Sequence, residues 1–282
     1  MRYDTTLAAV FHPEQQNPLD PALFAGKPDA LSAELARLIY YAFPPDAARL
    51  NAALAALGLR DVQFFEDAHT NTQAFAAIDS AGTGHVCFRG TQAKATDILA
   101  DLRFLRRRWD RGGSVHRGFA WAYGGKDGAL RKALADWVAQ ANPARLIATG
   151  HSLGGALAAL FASDHPAAEL VTIGAPSPGD ADFATLFIAR KVRRYRQCGD
   201  LVTRVSPEWF GYRQLPGLIY VDSAGICHDP APDAAAMAQD MAAGTRDYAR
   251  LKAGQPNSAP SRSLADHAPI NYLSAMLGLR DI

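Results

Sequence analysis

Ala148-Thr149-Gly150-His151-Ser152-Leu153-Gly154-Gly155-Ala156-Leu157-Ala158-Ala159-Leu160 reads as the end of a strand, a tight turn and the start of a helix. Leu146 to Thr149 is a short β-branched and apolar run, and the Ala/Leu-rich segment after the turn has helical character. Between them stands Gly-x-Ser-x-Gly, the pattern that lifts a serine hydroxyl clear of a strand-to-helix turn. Gly150 and Gly154 lack the Cβ that would collide where strand and helix nearly touch. Ser152 is therefore the candidate nucleophile. A glycine-rich helix start capped by its own serine is the competing reading.

The chain around it has 282 residues, 49% of them hydrophobic, enough to bury a large core in one α/β domain. One domain over 1–282 is expected, with 1–60 a loop and helical hairpin. Twenty-nine Lys and Arg against 28 Asp and Glu leave a net charge of +1, so the overall balance calls for no nucleic acid. Cys87, Cys198 and Cys227 are odd in number and match no metal spacing, which points away from a disulfide framework or a zinc site; chemistry on a serine nucleophile needs no metal or cofactor. The first residues lack a leader's apolar core, and no stretch is long enough to cross a bilayer. A cytoplasmic setting, or export by a route without a signal peptide, is the expectation.

Read in order, the prolines before Asp29 predict an irregular surface run. Asp29 to Tyr41 and Asp46 to Leu57 are helical, separated by Pro44-Pro45 and each opened by an acidic cap. Asp61 to Glu66, Thr72 to Ile78 and His85 to Phe88 are strand-like. The 92–113 segment is either a lid or a plain crossover, with a short helix near Thr96 to Phe104. Val115 to Phe119 leads into helices ending at Asn142-Pro143. After the Ser152 turn come a strand at Glu169 to Ile173, a helix at Asp180 to Arg190 and a strand at Lys191 to Cys198. Leu218 to Val221 is strand-like, Cys227 to Pro230 a linker, Asp233 to Lys252 helix, and Ser263 to Leu277 a terminal helix. Strands alternating with helices predict a mostly parallel central sheet with helices on both faces.

A serine hydroxyl needs a neutral imidazole to take its proton and a carboxylate to orient that imidazole. In this topology the acid follows the nucleophile and the histidine comes last. Asp200 lies just after a strand, where strand ends gather; Asp180, Asp182, Asp222 and Asp229 are its rivals. Two histidines follow it, His228 and His267, and the loop-to-helix junction at His267 allows a side chain to reach back across the strand ends. The oxyanion needs the N–H of Leu153 and a donor from the Arg89-Gly90-Thr91 loop, with Thr91 able to give both N–H and hydroxyl.

These motifs together resemble the class 3, or fungal-lipase-like, branch of the α/β-hydrolases. The likeness runs through Phe88-Arg89-Gly90-Thr91, Asp97 to Leu102, Val115 to Phe119, Gly150 to Ala158, Thr172 to Pro176, Gly199 to Arg204 and Asp266-His267-x-x-x-x-Tyr272. The resemblance implies a triad of Ser152, Asp200 and His267, favours His267 over His228, and implies an oxyanion hole at Thr91. It makes His116 and His151 framework residues, while His151, Ile98 and Leu99 are expected to border the substrate. The implied activity is hydrolysis of carboxylic esters of lipids through an acyl-enzyme. Gln92 to Leu99 has too few bulky apolar residues for a lid that seats on oil, so a partial cover over soluble or short-chain esters is expected. Arg106-Arg107-Arg108-Trp109 is of a composition that could meet anionic head groups in transient contact, but a solvated charge run is the commoner explanation and the one preferred. Two alternatives stand beside this: a phospholipase delivered as a toxin, and a binding module that kept the fold without catalysis.

Overall fold

A computed structural model describes residues 1–41, 47–90 and 105–281. Five strands run parallel through its centre: β3 (Thr83–Phe88), β6 (Arg145–His151), β7 (Glu169–Ile173), β8 (Val192–Gln197) and β9 (Leu218–Val221). Antiparallel strands extend both sides, β2 (Thr72–Ile78) and β1 (Arg60–Asp67) beyond β3, and β10 (Cys227–His228) beyond β9. A separate hairpin joins β4 (Arg106–Arg108) to β5 (Ser114–His116).

Alternation along the strands explains their continuous apolar runs. Val86, Phe88, Ala148 and Leu170 enter one core with the helices Arg117–Gly124, Ala129–Ala141 and Leu153–Asp164. Cys87, Ile147, Val171 and Ile173 enter the other, beneath the helices Pro28–Leu38, Ala47–Ala56 and Pro269–Met276. Both faces are covered, so side chains of both parities must be apolar. The Leu153–Asp164 helix is buried on every side from Gly154 to Ser163, which is why it carries no polar stripe.

Several expectations are corrected. The segment before Asp29 is not an irregular surface run: Leu7–Phe11 is helical, its N-terminus capped by Thr6, and Tyr3, Val10 and Phe24 are buried. Asp29 does not cap its helix, which starts at Pro28; it accepts Tyr195 O–H at 2.7 Å and pairs with Arg193. The helix at Asp180 is shorter, Ala181–Thr185, with Asp180 capping it through Phe183 N–H. Cys227 and His228 form an edge strand rather than a linker. The terminal helix is two helices, Arg262–Ala265 and Pro269–Met276, because proline lacks an N–H and forces the residue before it, Ala268, into an extended conformation. His267 sits in the break.

Of the 92–113 segment, the part from 105 onward belongs to the framework. Trp109 is buried, with its Nε1–H donating to Ser163 Oγ at 2.8 Å, and Arg111 reaches Asp164 at 2.9 Å. Trp109 therefore offers no face to a membrane. The Pro44-Pro45 break, the helix expected near Thr96, and the lid residues up to 104 lie outside the described residues.

Candidate active site

Strand β6 ends at His151, the Leu153 helix begins, and Ser152 sits between them at φ 58°, ψ −131°. A serine in that region costs on the order of 1–3 kcal/mol, so its surroundings must hold it there. Its N–H donates to Ile173 O on β7 at 2.9 Å. The turn closes only because its glycines have no Cβ. One on Gly150 would lie 2.3 Å from Gly154 C, and one on Gly154 would lie 2.2 Å from Phe88 O.

Strand β8 delivers Asp200 to the same end of the sheet, and the break before Pro269 delivers His267. Asp200 is fully buried; its Oδ1 accepts Val202 N–H at 2.9 Å and its Oδ2 accepts Tyr272 O–H at 2.6 Å. His267 Nδ1 faces both carboxylate oxygens, at 3.1 and 3.0 Å, so it carries the proton. Nε2 is then the acceptor, 3.0 Å from Ser152 Oγ. The sequence-expected nucleophile, acid and base thus stand in one hydrogen-bonded line.

His151 supports this line from behind. Its Nε2–H donates to His267 O at 2.8 Å, and its Nδ1 accepts Tyr40 O–H at 2.9 Å. The two imidazole rings are 4.5 Å apart. Complete burial, and then the neighbouring His267, push the His151 pKa well below its ordinary value, so it stays neutral. It holds His267 in place, and no contact assigns it to substrate. His116 caps the Arg117 helix by accepting Gly118 and Phe119 N–H at 3.1 and 3.3 Å.

Three of the rival residues, His228, Asp222 and Asp180, are engaged elsewhere. His228 meets Asp222 Oδ2 at 2.8 Å on the sheet edge. Asp180 serves as a cap and accepts Ser114 N–H at 3.0 Å. Leu153 N–H is one of the donors that a helix start leaves without an intrahelical acceptor, next to Ser152. Thr91, Ile98 and Leu99 lie outside the described residues. Gly90, just before Thr91, passes so close to the elbow that a Cβ would lie 2.7 Å from His151 O and 2.1 Å from Tyr40 Oη. Among the described residues no group of three His, Cys, Asp or Glu could hold a metal ion, and no helix is long and apolar enough to cross a membrane.

Sequence reasoning missed two supports. Tyr272 was visible as part of the Asp-His-x-x-x-x-Tyr motif but carried no role; Tyr40 lies 111 residues from the histidine it serves and left no signal.

Residues 85–210 match the family model of lipase (class 3). That match spans 126 of the 282 residues, including the Ser152 elbow and Asp200 but not His267. A lipase of Rhizomucor miehei is 33% identical over 147 residues, 48% of this chain and 40% of that protein. Secreted mono- and diacylglycerol lipase 1 of Fusarium solani is 30% identical over 169 residues, 57% of this chain and 50% of that one. The chain thus spans half or less of the length of these curated relatives. The solved structure of Rhizomucor miehei triacylglyceride lipase superimposes with a TM-score of 0.57 at 25% identity, covering 71% of this chain and 78% of that one. The fold is that of the α/β-hydrolases.

Proposed function

We propose that this chain is a lipase of the class 3 kind, a serine hydrolase that cleaves carboxylic esters of lipids through an acyl-enzyme. The observation that carries the reading is the line Ser152 Oγ, His267 Nε2, His267 Nδ1, Asp200, with contacts of 3.0 to 3.1 Å on a strained elbow. Ser152 Oγ attacks the ester carbonyl carbon while its proton passes to His267 Nε2. The negative charge that develops on the carbonyl oxygen falls beside Leu153 N–H, with Thr91 assigned as the second donor. Collapse breaks the carbon–alkoxide bond, and the imidazolium gives its proton to the leaving alcohol. Water, deprotonated by the same nitrogen, then attacks the acyl-serine and releases the carboxylic acid. Asp200 keeps Nδ1–H oriented and stabilises the imidazolium in both halves.

The relatives' names, a lipase and a mono- and diacylglycerol lipase, support acylglycerols over phospholipids as substrate. The assembled line of three residues speaks against a binding module without catalysis. Transient contact with a lipid surface is supported by a different residue from the one the sequence suggested. Trp209 is 83% exposed, and its turn is joined to the arginine hairpin by Arg106 Nη1 donating to Gly211 O at 3.0 Å. The test is hydrolysis of monoglyceride, triglyceride and phosphatidylcholine dispersions by the wild type and Ser152→Ala. Release of fatty acid from the glycerides, absent in the variant, is the expected result; release from phosphatidylcholine alone overturns the substrate assignment. Slower hydrolysis by Trp209→Ala on emulsions but not on a dissolved ester is expected if the exposed turn meets lipid.

A further inference from the structure

Asp266 precedes the base in the chain, is fully buried, and takes no part in the proton line. Its carboxylate accepts four donors: Tyr3 O–H at 2.6 Å on Oδ1, and on Oδ2 the Gly199 N–H at 2.9 Å, the Cys198 thiol at 3.4 Å and Arg262 Nε at 3.4 Å. Gly199 stands one residue before Asp200, and Asp266 one before His267. A single side chain therefore ties the loop that carries the acid to the break that carries the base. The tie is doubled through the backbone, where Gln197 Nε2 donates to Asp266 O at 2.9 Å. Gln197 N–H in turn donates at 3.0 Å to the Tyr272 hydroxyl that holds Asp200.

Tyr3 reaches this cluster from the far end of the chain. Its segment is fastened beside the base by Asp4, whose N–H donates to Asn271 Oδ1 at 2.9 Å and whose carbonyl accepts Asn271 Nδ2–H at 2.7 Å. The Arg262 and Arg280 guanidinium groups lie 5.4 and 5.1 Å from the Tyr3 ring, so the buried carboxylate has cations around it. Burial, then the Asp266 carboxylate, hold the Tyr3 phenol well above its ordinary pKa, which keeps it a donor.

We propose that Asp266 is a positioning residue for ester hydrolysis and that Tyr3 serves it: together they set the acid and base loops at the separation on which activation of Ser152 depends. The proposal rests on the hydrolase reading above. A carboxylate that satisfies donors from three segments fixes all three, and buried networks of this kind fail as a unit when one member is removed. A displacement of about 1 Å in a relay costs on the order of a hundredfold in rate.

The test uses the full chain with Tyr3→Phe, which deletes one hydroxyl, and Asp266→Asn, which keeps shape and one acceptor. Expected for p-nitrophenyl butyrate is a kcat lower by about tenfold in Tyr3→Phe and roughly ten- to a hundredfold in Asp266→Asn, with KM unchanged. The low-field proton NMR signal of His267 Nδ1–H should shift or broaden in both. A residue that only stabilises the fold would lower the melting temperature and leave kcat and that signal as in the wild type; this result overturns the proposal. Tyr3→Phe carries the comparison alone should Asp266→Asn not fold. A wild type that hydrolyses no ester overturns the hydrolase reading instead, and the NMR signal still decides the geometry: an unchanged signal in the variants rejects the role of Asp266.

Discussion

Tyr272→Phe removes one oxygen from the buried support of the acid and leaves the ring that fills its space. The hydroxyl donates to Asp200 Oδ2 at 2.6 Å and accepts Gln197 N–H at 3.0 Å, and Tyr272 is wholly inaccessible. Burial, then the adjacent carboxylate, keep this phenol protonated far beyond neutral pH, so it is a donor under all assay conditions. A hydrogen bond to a charged group contributes about 1.5–3 kcal/mol, and a buried N–H left without an acceptor costs about 1–3 kcal/mol more. The two losses overlap because the backbone can relax. A destabilisation of about 3 kcal/mol is expected, a fall in Tm of roughly 6–12 °C for a chain of this size. Asp200 retains Val202 N–H and both contacts to His267, so kcat should fall about tenfold, well short of the roughly ten-thousandfold effect of disabling the acid itself. KM should not move, since the side chain meets no substrate. Thermal melting followed by p-nitrophenyl butyrate kinetics makes the comparison. A Tm and kcat both unchanged would show that the hydroxyl supports nothing, and a collapse of kcat beyond a thousandfold would place Tyr272 in the reaction itself.

Three further outcomes follow from the same geometry. Gly154→Ala puts a methyl group 2.2 Å from Phe88 O, a backbone atom of a central strand, so soluble protein should be lost or melt more than about 10 °C lower. His267→Ala should lose at least about a thousandfold in kcat while His228→Ala, whose imidazole serves Asp222, stays within about twofold; the reverse pattern would reassign the base. His151 is held neutral by burial and binds its proton in the unfolded chain near the ordinary 6.5, so its contribution to stability is present above that pH and lost below it. Urea unfolding between pH 7 and 5 should therefore show a slope lower in His151→Gln by up to about 1.4 kcal/mol per pH unit, with His85 and His165, also depressed chiefly by burial, still acting in the same direction.

What could be read from the sequence was local. The elbow, the parallel strands and the position of Asp200 after β8 all follow from residues within a few places of one another, and each is where its spacing put it. Pro269 announced the break that frees His267, yet the apolar spacing from Ser263 to Leu277 masked it as one helix. The supports of the site were not legible for a different reason. Tyr40 meets His151 across 111 residues and Tyr3 meets Asp266 across 263, and a lone tyrosine in an N-terminal segment carries no periodicity that would reveal its partner. Trp109 shows the limit of composition: beside three arginines an aromatic could serve an interface, but its indole N–H is taken by Ser163 and Arg131 lies 4.7 Å over its ring.

The proposed reaction stands or falls with Ser152 as a nucleophile made reactive by His267. It is tested most directly by treating the protein with a fluorophosphonate probe and locating the adduct by peptide mass mapping. One adduct is expected, on Ser152, absent in Ser152→Ala and strongly slowed in His267→Ala. An adduct on another residue, or esterase activity that persists in Ser152→Ala, would contradict it.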